Sequence, residues 1–171
     1  MSFSPEHTPM IRHTLSALLL SATLAGPALA DDAVARGKYL VTVISCGDCH
    51  TPGHLLGKPD LARALSGSEV GLEIPGLGVF HGSNLTPDKE TGLGNWTEEQ
   101  IVTAIRTGKR PDGRMLAPVM PWMSFAALSD EDARAIAVYL KSLPPVANKV
   151  AGPFGATDKP TGFVMRISAP Q

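Results

Sequence analysis

Cys46-Gly47-Asp48-Cys49-His50 sets two thiols three positions apart with an imidazole directly behind them. Each thiol can add across a vinyl group of haem, and the histidine that follows can coordinate the iron from one face. These are the only two cysteines in the sequence. A structural zinc site would need about two further ligands at similar spacing, and His54 and His81 are paired with nothing. A redox CxxC usually follows a strand and rarely carries histidine at the next position. The pattern points to one covalently attached haem c, held by Cys46 and Cys49, with His50 on the iron.

The sixth iron ligand must come from elsewhere. Met115, Met120 and Met123 cluster in Met115-Leu116-Ala117-Pro118-Val119-Met120-Pro121-Trp122-Met123. A thioether is soft and neutral, binds ferrous iron well and raises the potential relative to a second imidazole. Pro118 and Pro121 hold the backbone around Met120 extended, so few conformations are lost on coordination. Met120 is therefore the expected ligand, and Met115 and Met123 are read as packing. His54 lies too near the attachment segment to reach the opposite face easily; His81 stays as an alternative.

Three helices can carry these residues. The first follows Asp31-Asp32, runs from about Ala33 to Ile44 and delivers the chain into Cys46. Val34, Leu40, Val41 and Ile44 share its buried side. A second opens at Thr97, with Gln100 completing a capping box, and stops at Gly108. The third begins at Ser129-Asp130-Glu131-Asp132, with Ala133, Ile136, Ala137 and Leu140 recurring at i, i+3, i+4 and i+7; Pro144-Pro145 ends it. A shorter helix fits around Pro59–Leu65. No run gives a convincing strand alternation, so the domain reads as mainly helical.

Between Ser66 and Trp96 the sequence is punctuated by Gly, Pro and Asn rather than periodic. So long a loop makes sense in a compact domain if it wraps a cofactor. Asn84, Thr86 and Asp88 can fix such a loop through local bonds to the backbone; Asn84 can alternatively bond a haem propionate.

Leu15–Leu24 is a short apolar run, and Ala28-Leu29-Ala30 is a small-x-small cleavage site. Residues 1–30 therefore read as a signal peptide cleaved near Ala30-Asp31, with export to the periplasm. Met10-Ile11-Arg12-His13 is a more conventional opening than the residues before it and makes Met10 an alternative start. Residues 31–146 form one haem domain, and 147–171 form a Pro/Gly-rich extension with no transmembrane anchor. The formal net charge of −1 gives no support to nucleic-acid binding.

The order of signal, helix, CxxCH, long loop, Met-Pro and final helix resembles class I cytochrome c. More narrowly it is similar to the haem modules of cytochrome subunits that accept electrons from periplasmic dehydrogenases. The resemblance is carried by Arg36-Gly37-Lys38-Tyr39-Leu40, the haem motif with Thr51-Pro52, Asn84-Leu85-Thr86-Pro87-Asp88 and Thr91-Gly92-Leu93-Gly94-Asn95-Trp96. Asp112-Gly113, Met120-Pro121-Trp122, Leu128–Asp132 and Tyr139-Leu140 complete it.

The resemblance implies an all-α class I cytochrome c fold, three to four helices wrapped around one covalently bound haem. His50 would be the proximal and Met120 the distal ligand. The first and last helices would cross where Gly37 meets Tyr139. Trp96 would lie near the haem, its indole N–H reaching a propionate or a backbone carbonyl. Arg106 and Arg114 could offset propionate charge, although solvated roles fit both.

Filled axial positions imply an electron carrier rather than an enzyme. Its donor would be a periplasmic dehydrogenase, and its acceptor a terminal oxidase or another cytochrome. Two other classes stay open: a cytochrome subunit bound permanently to a dehydrogenase, and a haem enzyme such as a peroxidase, which needs Met120 off the iron. Relatives serving alcohol or sugar-acid dehydrogenases often carry three such modules, whereas this chain has one. The extension could wrap its own domain or lie on a partner.

Overall fold

The backbone of residues 27–168 is described by a computed structural model. The expected signal segment and the Met10 start lie largely outside these residues. Helix α1 covers Pro27–Val43, beginning earlier than the expected Ala33. Pro27 has a φ suited to a first helical turn, and Ala28-Leu29-Ala30 are strong helix formers, so the helix runs back through them. Ser45 takes φ 59°, the left-handed region, and this one residue redirects the chain into α2, Cys46–His50.

Local signals set the other long helices. In α3, Glu98–Thr107, Gln100 N–H donates to Thr97 Oγ1 at 3.2 Å while Gln100 Oε1 accepts from Thr97 N–H at 3.0 Å. Gly108, at φ 74°, closes the helix. A four-residue helix α4, Trp122–Phe125, follows the methionine segment. In α5, Asp130–Ser142, Ser129 caps the Asp132 N–H, and Ala133, Ile136, Ala137 and Leu140 are buried as their spacing requires.

Helices α1 and α5 make the most extensive contact between elements. A Cβ built on Gly37 would lie 2.0 Å from the Ala135 carbonyl oxygen and 2.6 Å from Tyr139 Cβ. Only glycine permits this approach, and it offsets the helix penalty of about 0.5–1 kcal/mol that glycine brings. Leu40, Val41, Ile101, Ile136 and Leu140 form the core around the crossing, joined by Leu65 and Leu93 from the loops.

The all-α expectation needs correction. Strands β1 (Val70–Ile74) and β2 (Gly78–His81) form an antiparallel hairpin inside the long loop, and β3 (Phe163–Met165) adds to β1 in parallel. The described residues hold five helices rather than three or four, because α2 and α4 are short extra pieces. The expected helix near Pro59–Leu65 is reduced to a 3-10 turn at Leu61–Arg63, tied by Asp60.

The extension wraps its own domain. Asn148 donates to the Ser66 carbonyl at 2.8 Å. Phe154 then exchanges two backbone bonds with Val79 on the outer edge of β2. After crossing over, the chain pairs as β3 with the opposite edge of the hairpin, where Arg166 pairs with Glu73. Phe163, Met165 and Ile167 remain largely exposed. No helix among the described residues is long and apolar enough to cross a membrane.

Candidate haem site

A cavity of about 610 Å³ lies between α2, α3, α5, the methionine segment and the extension. This is within the usual range of about 300–1,000 Å³ for cofactor sites. Helix α2 turns Cys46, Cys49 and His50 onto one wall. The two cysteines are not joined in a disulfide. Burial pushes the Cys46 thiol up to about 11, helped by the nearby Cys49 and Asp48. Burial and Asp48 push Cys49 in the same direction.

His50 is buried, with Nδ1 donating to the Ser83 carbonyl at 2.7 Å. That bond fixes the tautomer and leaves the Nε2 lone pair for a metal. Burial lowers the His50 pKa and the Ser83 bond opposes this in part, so the ring is neutral as ligation requires.

Met120 lines the same cavity, in a turn where its N–H donates to the Ala117 carbonyl and its carbonyl accepts from Trp122 N–H. Met115 also lines the cavity, but its methyl group reaches toward Gly108 at the end of α3. Met123 is exposed on α4. Two thiols, a neutral imidazole of fixed tautomer and a thioether therefore border one largely apolar space. These residues fit a haem c.

Trp96 lies on the cavity wall with the Arg110 guanidinium 5.1 Å from its ring centroid. Arg114 also borders the cavity, whereas Arg106 pairs with Asp130. Asn84 lines the cavity too, yet its amide is fully occupied. It donates to Thr91 Oγ1 and the Val146 carbonyl and accepts from the N–H and hydroxyl of Thr86. Of its two expected roles, holding the loop accounts for every one of these bonds. His54 sits 3.4 Å from Asp48.

Other contributors escaped the sequence reading. Lys141 donates to the carbonyls of Leu93, Gly94 and Trp96, fastening the Trp96 loop to α5. Ser83 acts through its carbonyl, a group with no sequence signature. Residues 149–153 of the extension form part of the cavity wall, which the sequence reading did not single out.

The family described as Cytochrome c matches residues 34–144. The chain is 39% identical over 138 residues to the cytochrome c subunit of alcohol dehydrogenase (quinone) from Gluconobacter oxydans (strain 621H), covering 77% of this chain and 27% of the relative. It is 33% identical over 135 residues to the fructose dehydrogenase cytochrome subunit of Gluconobacter japonicus, with coverages of 79% and 26%. The gluconate 2-dehydrogenase cytochrome c subunit of Pantoea cypripedii is 36% identical over 135 residues, with coverages of 75% and 29%. The chain thus spans less than a third of the length of these curated relatives.

Proposed function

Because the chain belongs to the cytochrome c family, we propose that it is a monohaem periplasmic carrier of single electrons from a dehydrogenase to the respiratory chain. The observation that carries this reading is the cavity bordered by Cys46, Cys49 and His50 and also by Met120. In such a site the haem supplies one-electron chemistry at its iron. Cys46 and Cys49 would hold it covalently, His50, oriented by Ser83, would ligate its iron, and Met120 would supply the second protein ligand. With a haem in place, Trp96 and the apolar walls would shield it from water. Cleavage near Ala30-Asp31 would leave Asp31 and Asp32 at the start of the remaining helix, where acidic groups suit the dipole.

A dehydrogenase donor is supported by the names of the three relatives, each a cytochrome subunit of such an enzyme. The same names, with the exposed Phe163, Met165 and Ile167, favour a permanently bound subunit as the second reading. A terminal oxidase or another cytochrome is the proposed acceptor.

The holoprotein tests this directly. Its haem should survive acid–acetone extraction, and Cys46→Ala/Cys49→Ala should lose it. The reduced spectrum should not respond to carbon monoxide. Met120→Leu should lose the near-infrared sulfur–iron band, acquire carbon monoxide binding and fall in potential. Carbon monoxide binding by the wild type would point to a haem enzyme. Co-purification with a dehydrogenase through high salt would favour the bound subunit.

A further inference from the structure

Met115 and Met120 both border the cavity, and both belong to a segment that returns twice to one residue, Gly108. That glycine closes α3 and is buried. A Cβ built on it would lie 2.7 Å from both Cδ2 and Cε2 of Trp122 and 3.0 Å from the Met115 methyl. The Trp122 ring therefore rests on the bare glycine backbone, with the end of Met115 beside it. The left-handed cap accounts for the glycine, but not for the indole pressed against it.

Both ends of the segment are anchored there. Beyond the turn in which Arg110 N–H donates to the Arg114 carbonyl, Lys109 bridges to Met115, and the Leu116 N–H donates to the Gly108 carbonyl at 2.7 Å. Trp122 then brings the far end back over the same glycine. Between these anchors the Met120 N–H donates to the Ala117 carbonyl at 2.9 Å, and the Met120 carbonyl accepts from the Trp122 N–H at 2.7 Å. Met120 is thus bonded directly to the residue that carries the ring. A buried indole N–H usually finds a partner. That of Trp122 has none among the described residues, so the ring is seated by shape and not by a polar tether.

A neutral thioether meets iron through one bond, with no charge attraction added to it. How firmly it stays bound depends on how ordered its segment is beforehand. His81, the imidazole alternative, packs against Phe154 with both ring nitrogens buried, so the second axial position falls to the methionine segment. The Met115 methyl is engaged over Gly108, whereas Met120 sits between the two anchors.

We propose that Trp122 is a positioning residue for the iron ligand: seated on Gly108, it pins the segment so that the Met120 thioether stays toward the cavity. Trp122 does not itself border the cavity, so it acts through Met120. This rests on the Met120 reading above, which Met120→Leu tests separately.

The test uses the haem-loaded protein. Trp122→Ala should weaken or abolish the near-infrared sulfur–iron band, let the reduced protein bind carbon monoxide and lower the potential, although Met120 itself is intact. Trp122→Phe keeps a flat ring over Gly108 and should retain the band and exclude carbon monoxide. A Trp122→Ala protein that is merely less stable to denaturant, with the band kept and carbon monoxide still excluded, overturns the proposal, because the ring would then serve packing only. Should that variant fail to accumulate, Trp122→Leu, which fills part of the space without a flat ring, decides by the same two readings. Absence of the band in the wild type overturns the Met120 reading and this proposal with it; a band kept in Trp122→Ala overturns this proposal alone.

Discussion

The α1–α5 crossing and the loop around Asn84 are both tightly held, by opposite means. At the crossing, Gly37 works by having no side chain, so that Ala135 and Tyr139 can close on the α1 backbone. In the loop, almost every polar group is engaged. Asp88 accepts from the N–H and hydroxyl of Thr91, Thr91 accepts from Asn84 and from the Asn148 N–H, and Asn84 reaches Val146. Side-chain volume is therefore the weak point of the first region, and polar satisfaction that of the second.

The largest effect should follow from adding volume at the crossing. Gly37→Val meets backbone as well as side chain, so a loss of about 3 kcal/mol is expected. Denaturant unfolding of the holoprotein measures it, and a Gly37→Ala protein more stable than wild type would sink the close-contact account.

Breaking the polar region should cost somewhat less. Asn84→Leu keeps the volume but strips the Thr86 N–H of its acceptor and takes one donor each from Thr91 and Val146, for a loss of about 2 kcal/mol. It should also make the chain beyond Val146 easier to cleave by protease. Unchanged protection there would mean that Asn84 does not tie the extension to the loop.

The smallest effect sharpens the comparison at the rim of the crossing. Arg36 donates to Asp132 at 2.8 Å and, with Ser129, holds that carboxyl below the usual carboxylate range. Because the folded value is the lowered one, the contribution is present above the ordinary Asp pKa of about 3.9 and fades as pH falls through the folded value. Being exposed, the pair should matter little. Stability curves of wild type and Asp132→Asn should differ slightly near neutrality and converge in acid; a constant offset down to the lowest pH would contradict the assignment.

These contrasts explain what could be read beforehand. Thr97, Gln100, Gly108 and Ser129 act within a turn of their own positions, so the bounds of α3 and α5 were legible. Gly37 and Tyr139 could be matched only through the family resemblance. The hairpin was missed although Val70, Leu72 and Ile74 alternate, because Gly71 and the surrounding turn residues read as loop, and β3 comes from a distant part of the chain. At the site, Cys46, Cys49, His50 and Met120 were legible because their side chains carry distinctive chemistry. The Ser83 carbonyl was not, since any residue could supply it; Lys141 looked like an ordinary helix-end cation.

The extension gripping both edges of the hairpin also bears on the order in which the chain should fold. Its contacts join residues far apart in sequence, such as Asn148 with Ser66 and Arg166 with Glu73. Non-local pairings form late, after local helices have already stabilised. Residues 149–153, the part of the extension on the cavity wall, are therefore expected to close that side last, an order that pulse-labelled hydrogen exchange at Val79 and Phe154 would test.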